Sequence, residues 1–164
     1  MPAVFLAEAG FPEHERRQIV RRELLQRDDL ILLPAKPYLW HFPHLETYIN
    51  ADLDCAALCV HVVPPGLDDE GERTVRRQLE MAVQMAQDKQ GMMPHVWVPP
   101  ASSGQQETNS MVTWITDELP NSGVQISQTD SYKKFNTILN RNVISNPINW
   151  SHDTEHNDNQ PNDT

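Results

Sequence analysis

Cysteine is almost missing from this chain of 164 residues: Cys55 and Cys59 are spaced C-x3-C with no second pair. A disulfide framework or a zinc site takes more ligands at closer spacing, so both are expected to be buried free thiols in a reducing cytoplasm. Long apolar runs are missing too. None approaches the ~18 residues of a membrane span, and the opening MPAVFLAEAG lacks the basic segment of a secretory signal. Positive charge is scarce, with 13 Lys and Arg against 23 Asp and Glu, for a net −10. Such a surface repels phosphate backbones and anionic lipid, which excludes nucleic acid and membranes as general partners.

The glycine signatures of common α/β sites do not occur either. No G-x-G-x-x-G follows the first apolar run, and there is no G-x-x-x-x-G-K-[ST] and no G-x-S-x-G. Dinucleotide cradles, P-loops and hydrolase elbows are therefore excluded. A phospho-acceptor receiver needs an Asp ending the third strand, where this chain has Val63-Pro64-Pro65. His14, His41, His44, His61 and His95 lack metal-ligand spacing, so no metal is expected.

What the chain does have is alternation. Strand-like runs at Ala3–Leu6, Leu30–Leu33, Ala57–Val63, His95–Val98 and Val124–Ser127 are separated by helix-like spacing. The helical stretches carry Ile19, Val20, Leu24 and Leu25; then Leu45, Tyr48, Ile49, Leu53 and Ala56, with Asp52 as a polar intruder. Further on come Met111, Ile115 and Leu119, then Tyr132, Phe135, Ile138 and Leu139. Continuous rather than alternating apolar strands suit a parallel sheet covered on both faces. The expected fold is a flavodoxin-like, doubly wound, five-stranded parallel sheet in the order 2-1-3-4-5, with helices on both faces. The domain is expected over 1–144. Residues 145–164, rich in Asn, Asp and Pro, read as a disordered polar tail or a linker. Ligands of such sheets bind beyond the carboxyl ends of the strands at the switch point, where Ala7, Glu8 and Pro64–Gly66 fall.

The stretch Arg73–Pro100 is the most informative. Val75, Leu79, Ala82, Val83 and Ala86 form one apolar helical stripe, and Glu80 falls on its edge, half sheltered beside the sheet. A working acid fits there. Glu80 read instead as an exposed partner of Arg76 is worth ~0.3–0.5 kcal/mol. The loop PAKPYLWHFPH sets Tyr38, Trp40 and Phe42 among three prolines, a surface for a flat ring or a neighbouring copy unless one or two of the rings fold back onto the core.

Taken together, VFLAEAG, ERRQIVRRELLQRDDLILLP, the aromatic loop, ALCVHVVPPG, TVRRQLEMAVQMA and HVWVPP resemble a bacterial Toll/interleukin-receptor (TIR) domain from Ala3 to about Val143. The sharpest element is the helix sequence Q-x-E-x-A, with Gln78, Glu80 and Ala82. The resemblance implies an NAD-consuming enzyme whose essential acid is Glu80. It also implies that the loop Tyr38–His44 gates the pocket and touches a neighbouring protomer. Many relatives carry Ser or Asp after the first strand, where this chain has Ala7-Glu8, and Thr74 stands for a helix-start Ser.

One acid can suffice for that chemistry. Most glycoside hydrolysis takes two carboxyl groups because the leaving oxygen needs a proton. Nicotinamide on ribose is already a cation and departs neutral, so a single carboxylate can offset the sugar's positive charge. Arg73, then Arg76, are the candidates for the pyrophosphate, unless they pair with Asp68, Asp69 or Glu70. Trp40 or Tyr38 could stack on a ring of NAD+. The expectation is a cytoplasmic NAD+ glycohydrolase, forming ADP-ribose or its cyclic form. It would be active as a homo-oligomer or filament through the Pro34–His44 loop, with a possible sensor domain or partner protein, as an effector of the anti-phage type. The alternatives are a non-catalytic TIR adaptor working by self-association and a nucleoside deoxyribosyltransferase-like N-glycosidase.

Overall fold

The computed structural model describes residues 1–8, 15–38, 43–63, 67–99, 110–119, 122–129 and 131–145. Five strands alternate with five helices: β1 (Ala3–Leu6), α1 (Glu15–Leu25), β2 (Ile31–Leu33), α2 (Leu45–Cys55), β3 (Leu58–Val62), α3 (Asp69–Asp88), β4 (Met93–Trp97), α4 (Ser110–Glu118), β5 (Gln125–Ser127) and α5 (Tyr132–Ser145). The sheet order is β2-β1-β3-β4-β5, parallel throughout. This is the doubly wound arrangement expected from the alternation. The expected tail lies outside the described residues, apart from Ser145, which ends α5.

Two faces of the sheet carry separate cores. Val4 and Leu6 of β1 and Leu58, Val60 and Val62 of β3 meet Val20 and Leu24 of α1, with Phe135 and Leu139 of α5. On the other face, Phe5, Ala7 and Cys59 pack on Ile49 and Leu53 of α2 and on Met81 and Ala82 of α3. Val75, Leu79 and Val83 of α3 continue that layer toward Val96, Val98, Met111 and Ile115. Buried continuous strands follow from cover on both sides. The edge strand β2 departs from the expectation of cover on both faces: Ile31 is 45 % exposed, because helices cross over the central strands first.

α3 starts earlier than its apolar stripe. Asp68 caps it, accepting from the Gly71 N–H at 2.7 Å, and Asp69, Glu70 and Glu72 complement the positive end of the helix dipole. Its last turn closes on Lys89, followed by Gly91 at φ 98°, a turn position that suits a residue with no Cβ. Several side chains face otherwise than their spacing implies. Leu25 and Tyr48 are exposed, since α1 and α2 each bury a narrower stripe. Cys55 is exposed at the end of α2 and only Cys59 is buried; both are free thiols. Among the described residues no helix is long and apolar enough to cross a membrane.

Candidate functional site

At the carboxyl end of β1 the chain leaves the sheet between its two faces, and its main-chain polar groups run out of ladder partners. Ala7 still donates to the Val60 carbonyl at 2.9 Å. Beyond it, two buried side chains take over. Arg17 reaches across from α1, its Nε donating to the Ala7 carbonyl at 2.7 Å and its Nη2 to the Leu6 carbonyl at 3.2 Å. From the opposite face, Gln78 of α3 accepts from the Glu8 N–H at 2.8 Å and donates from Nε2 to the Glu8 carbonyl at 2.6 Å. The same Nε2 also donates to the Thr74 carbonyl at 3.1 Å. Arg17 is 5 % exposed and Gln78 is fully buried. A buried guanidinium and a buried amide are costly unless bonded. Here both are spent on the end of one strand.

Glu8 is therefore gripped by its backbone, and its side chain is also engaged. Its Oε1 accepts from the Tyr38 N–H at 3.1 Å, tying the base of the β2–α2 loop to the switch point. The Tyr38 ring packs near Phe5, with centroids 6.5 Å apart, and its hydroxyl donates to Asp52. Asp52, the polar intruder of α2, is thus the hydroxyl's partner. Burial and the neighbouring Asp52 carboxylate push the Tyr38 phenol well above its ordinary range. Glu8 and Tyr38, expected near a ligand, are brought together with Ala7. Trp40 and Pro64–Gly66 lie outside the described residues.

Glu80 is half sheltered on the edge of the stripe, as its spacing implies, but on the flank away from Gln78. Its side chain is 48 % exposed and sits 3.5 Å from Arg77, itself bound to Glu46 of α2. The physical reason is the width of the buried arc. Gly71, Gln78 and Met81 are buried together with Val75, Leu79, Ala82 and Val83, which turns the helix toward β1 and α2. Measured from Leu79 at about 100° per residue, Gln78 lies on that side and Glu80 on the other. The partner of Glu80 is Arg77 rather than Arg76.

The arginines also separate. Arg76 pairs with Glu72 one turn back and lies 4.9 Å from the Trp114 ring centroid, so it belongs to the α3–α4 contact. Arg73 is exposed, and among the described residues it makes no ion pair. It remains open to an anion. On β3, His61 is fully buried, and neither ring nitrogen has a hydrogen-bond partner among the described residues. Burial lowers its pKa to about 3. His95 of β4 pairs with the Ser127 hydroxyl at 2.8 Å and is likewise lowered by burial, to about 4. Among the described residues no three His, Cys, Asp or Glu side chains could hold a metal ion.

Arg17 and Gln78 carry the site, yet the apolar pattern does not include them, because both are polar. Arg17 precedes Val20 and Leu24 by three and seven residues, the spacing of the inward face of α1. That spacing was the available signal. No protein-family model, no curated protein and no solved structure matches this chain.

Proposed function

We propose that the chain is a TIR-like domain that cleaves the nicotinamide–ribose bond of NAD+ in a crevice at the carboxyl ends of β1 and β3. The observation that carries this proposal is the pair of buried polar side chains, Arg17 and Gln78, fixing the end of β1 from opposite faces. In sheets of this order the ligand crevice lies at that point. Precise polar positioning at a strand end is what a site needs and a core does not. Arg73, in the first half of α3 and without an ion pair among the described residues, is suited to the pyrophosphate. Tyr38, at the base of the loop, is suited to the nicotinamide or adenine ring.

The working form is an assembled one, in the cytoplasm, with the Pro34–His44 loop meeting a neighbouring copy, as an effector of the anti-phage type. The direct test is nicotinamide release from NAD+ by concentrated, assembled protein, followed by chromatography for ADP-ribose and its cyclic form. Release that scales with assembly supports the proposal. NAD+ left intact by assembled protein, with free nucleosides cleaved instead, would point to the deoxyribosyltransferase-like alternative.

One observation favours a second reading. Glu80, the acid implied by the TIR resemblance, is solvent-facing and paired with Arg77, as suits a non-catalytic module that works by self-association. That module would assemble and signal in cells without consuming NAD+.

A further inference from the structure

We propose that Glu8 is the carboxylate that acts at the ribose, resting on the NAD+-cleaving function proposed above. Two acids compete for the role, and their surroundings differ. Glu80 stands on the outer flank of α3, about half exposed, where water screens its field. Glu8 is half-buried at the switch point itself, one residue beyond the last β1 ladder bond.

Its geometry is held from three directions. Gln78 grips both the N–H and the carbonyl of Glu8, at 2.8 and 2.6 Å. Arg17 holds the two preceding carbonyls, of Leu6 and Ala7, from the opposite face. The Tyr38 N–H donates to one oxygen of the carboxylate at 3.1 Å and orients it. A carboxylate that is already oriented pays no reorganisation cost when positive charge develops beside it. A mobile surface acid lacks that advantage. Gln78 and Arg17 are positioning residues here, acting through the backbone that bears Glu8.

The step balances without any further reagent. The bond from C1′ of the ribose to the pyridine nitrogen breaks, and its electron pair stays on nitrogen, so nicotinamide leaves neutral. Positive charge spreads over C1′ and the ring oxygen, facing the Glu8 carboxylate. A water oxygen bonds to C1′, and its proton passes to the carboxylate and on to solvent. The products are nicotinamide, ADP-ribose and one proton.

The test compares wild type, Glu8→Gln and Glu80→Gln for nicotinamide release, with NAD+ affinity measured separately on each. Glu8→Gln keeps an oxygen for the Tyr38 N–H, and the Gln78 contacts are to the main chain at position 8, so the variant is expected to fold. A thermal unfolding curve and the assembly state check this. We expect Glu8→Gln to lower turnover by about 100-fold or more, with NAD+ affinity changed less than about threefold. Glu8→Asp, which keeps the charge but shortens the reach, recovers part of the loss. Turnover of Glu8→Gln within about threefold of wild type overturns the assignment, most plainly if Glu80→Gln is the inactive variant. No release by assembled wild type overturns the NAD+-cleaving function and the assignment together.

Discussion

Two polar residues two positions apart on α3 live in different solvents. Gln78 is fully buried and makes three hydrogen bonds, two of them to the end of β1. Glu80 is half exposed and, among the described residues, makes one long ion pair. Buried polar groups are expensive to leave unpaired, whereas an exposed i,i+3 ion pair is worth only a few tenths of a kcal/mol. The inner flank of the helix is therefore specified by the strand end it holds, and the outer flank is nearly free of structural demand. A charged residue attracts attention in a sequence, but in this helix the uncharged amide is the one the fold depends on.

Exchanging the roles of the two flanks should expose the contrast. Gln78→Leu keeps the volume but strands the N–H and carbonyl of Glu8. Its expected cost is about 2–6 kcal/mol, from two unsatisfied buried groups at ~1–3 kcal/mol each, read as a lower urea midpoint with an unchanged slope. A cost below about 1 kcal/mol would show that water satisfies the strand end and that the clamp is incidental.

A buried polar group without partners should behave in the opposite sense. His61 sits on the central strand with both ring nitrogens unsatisfied among the described residues, so His61→Leu is expected to stabilise the fold by about 1 kcal/mol near neutral pH. The sign of its pH dependence follows from linkage. The folded pKa, about 3, lies below the unfolded value of 6.5, so the unfolded chain binds the proton more readily. Stability is complete above about pH 6.5 and falls as pH drops toward 3, by up to about 1.4 kcal/mol per pH unit. His95, lowered to about 4, adds a similar loss over a slightly narrower window. Melting temperatures of wild type and His61→Leu should thus diverge on acidification from pH 7 to pH 5. Parallel curves would mean that His61 finds a partner in solution.

The smallest effect belongs to the outer flank. Glu80→Ala should change stability by less than about 0.5 kcal/mol, and added salt should shrink the difference further. A larger loss would mean that Glu80 is covered, as in an assembly that buries this face.

Much of the architecture was legible beforehand, for a specific reason. Apolar runs such as AVFL and LCVHV cannot sit in water, and helical spacing between them leaves a parallel crossover sheet as the economical arrangement. Position along the chain also placed Ala7 and Glu8 at the strand end. The orientation of α3 was harder. Its stripe was defined by five apolar residues, and periodicity does not score a Gly, a Gln or a flanking Met as inward, so Gly71, Gln78 and Met81 did not shift the arc. Arg17 escaped in the same way, because a charged residue is assumed to face water unless a partner is known. Its partners are main-chain carbonyls, which every sequence has and none advertises. The identity of Asp52 as the Tyr38 partner depended on how α2 meets the loop, a tertiary fact with no local sign.

The most direct measurement is a nuclear magnetic resonance titration of isotope-labelled protein with NAD+, following backbone amides one by one. If the end of β1 is the working site, the amides of Glu8, Gln78 and Tyr38 shift together and saturate, while those of Arg77, Glu80 and Gln84 stay in place. Saturable shifts confined to the outer flank of α3, with Glu8 and Tyr38 unmoved, would contradict it.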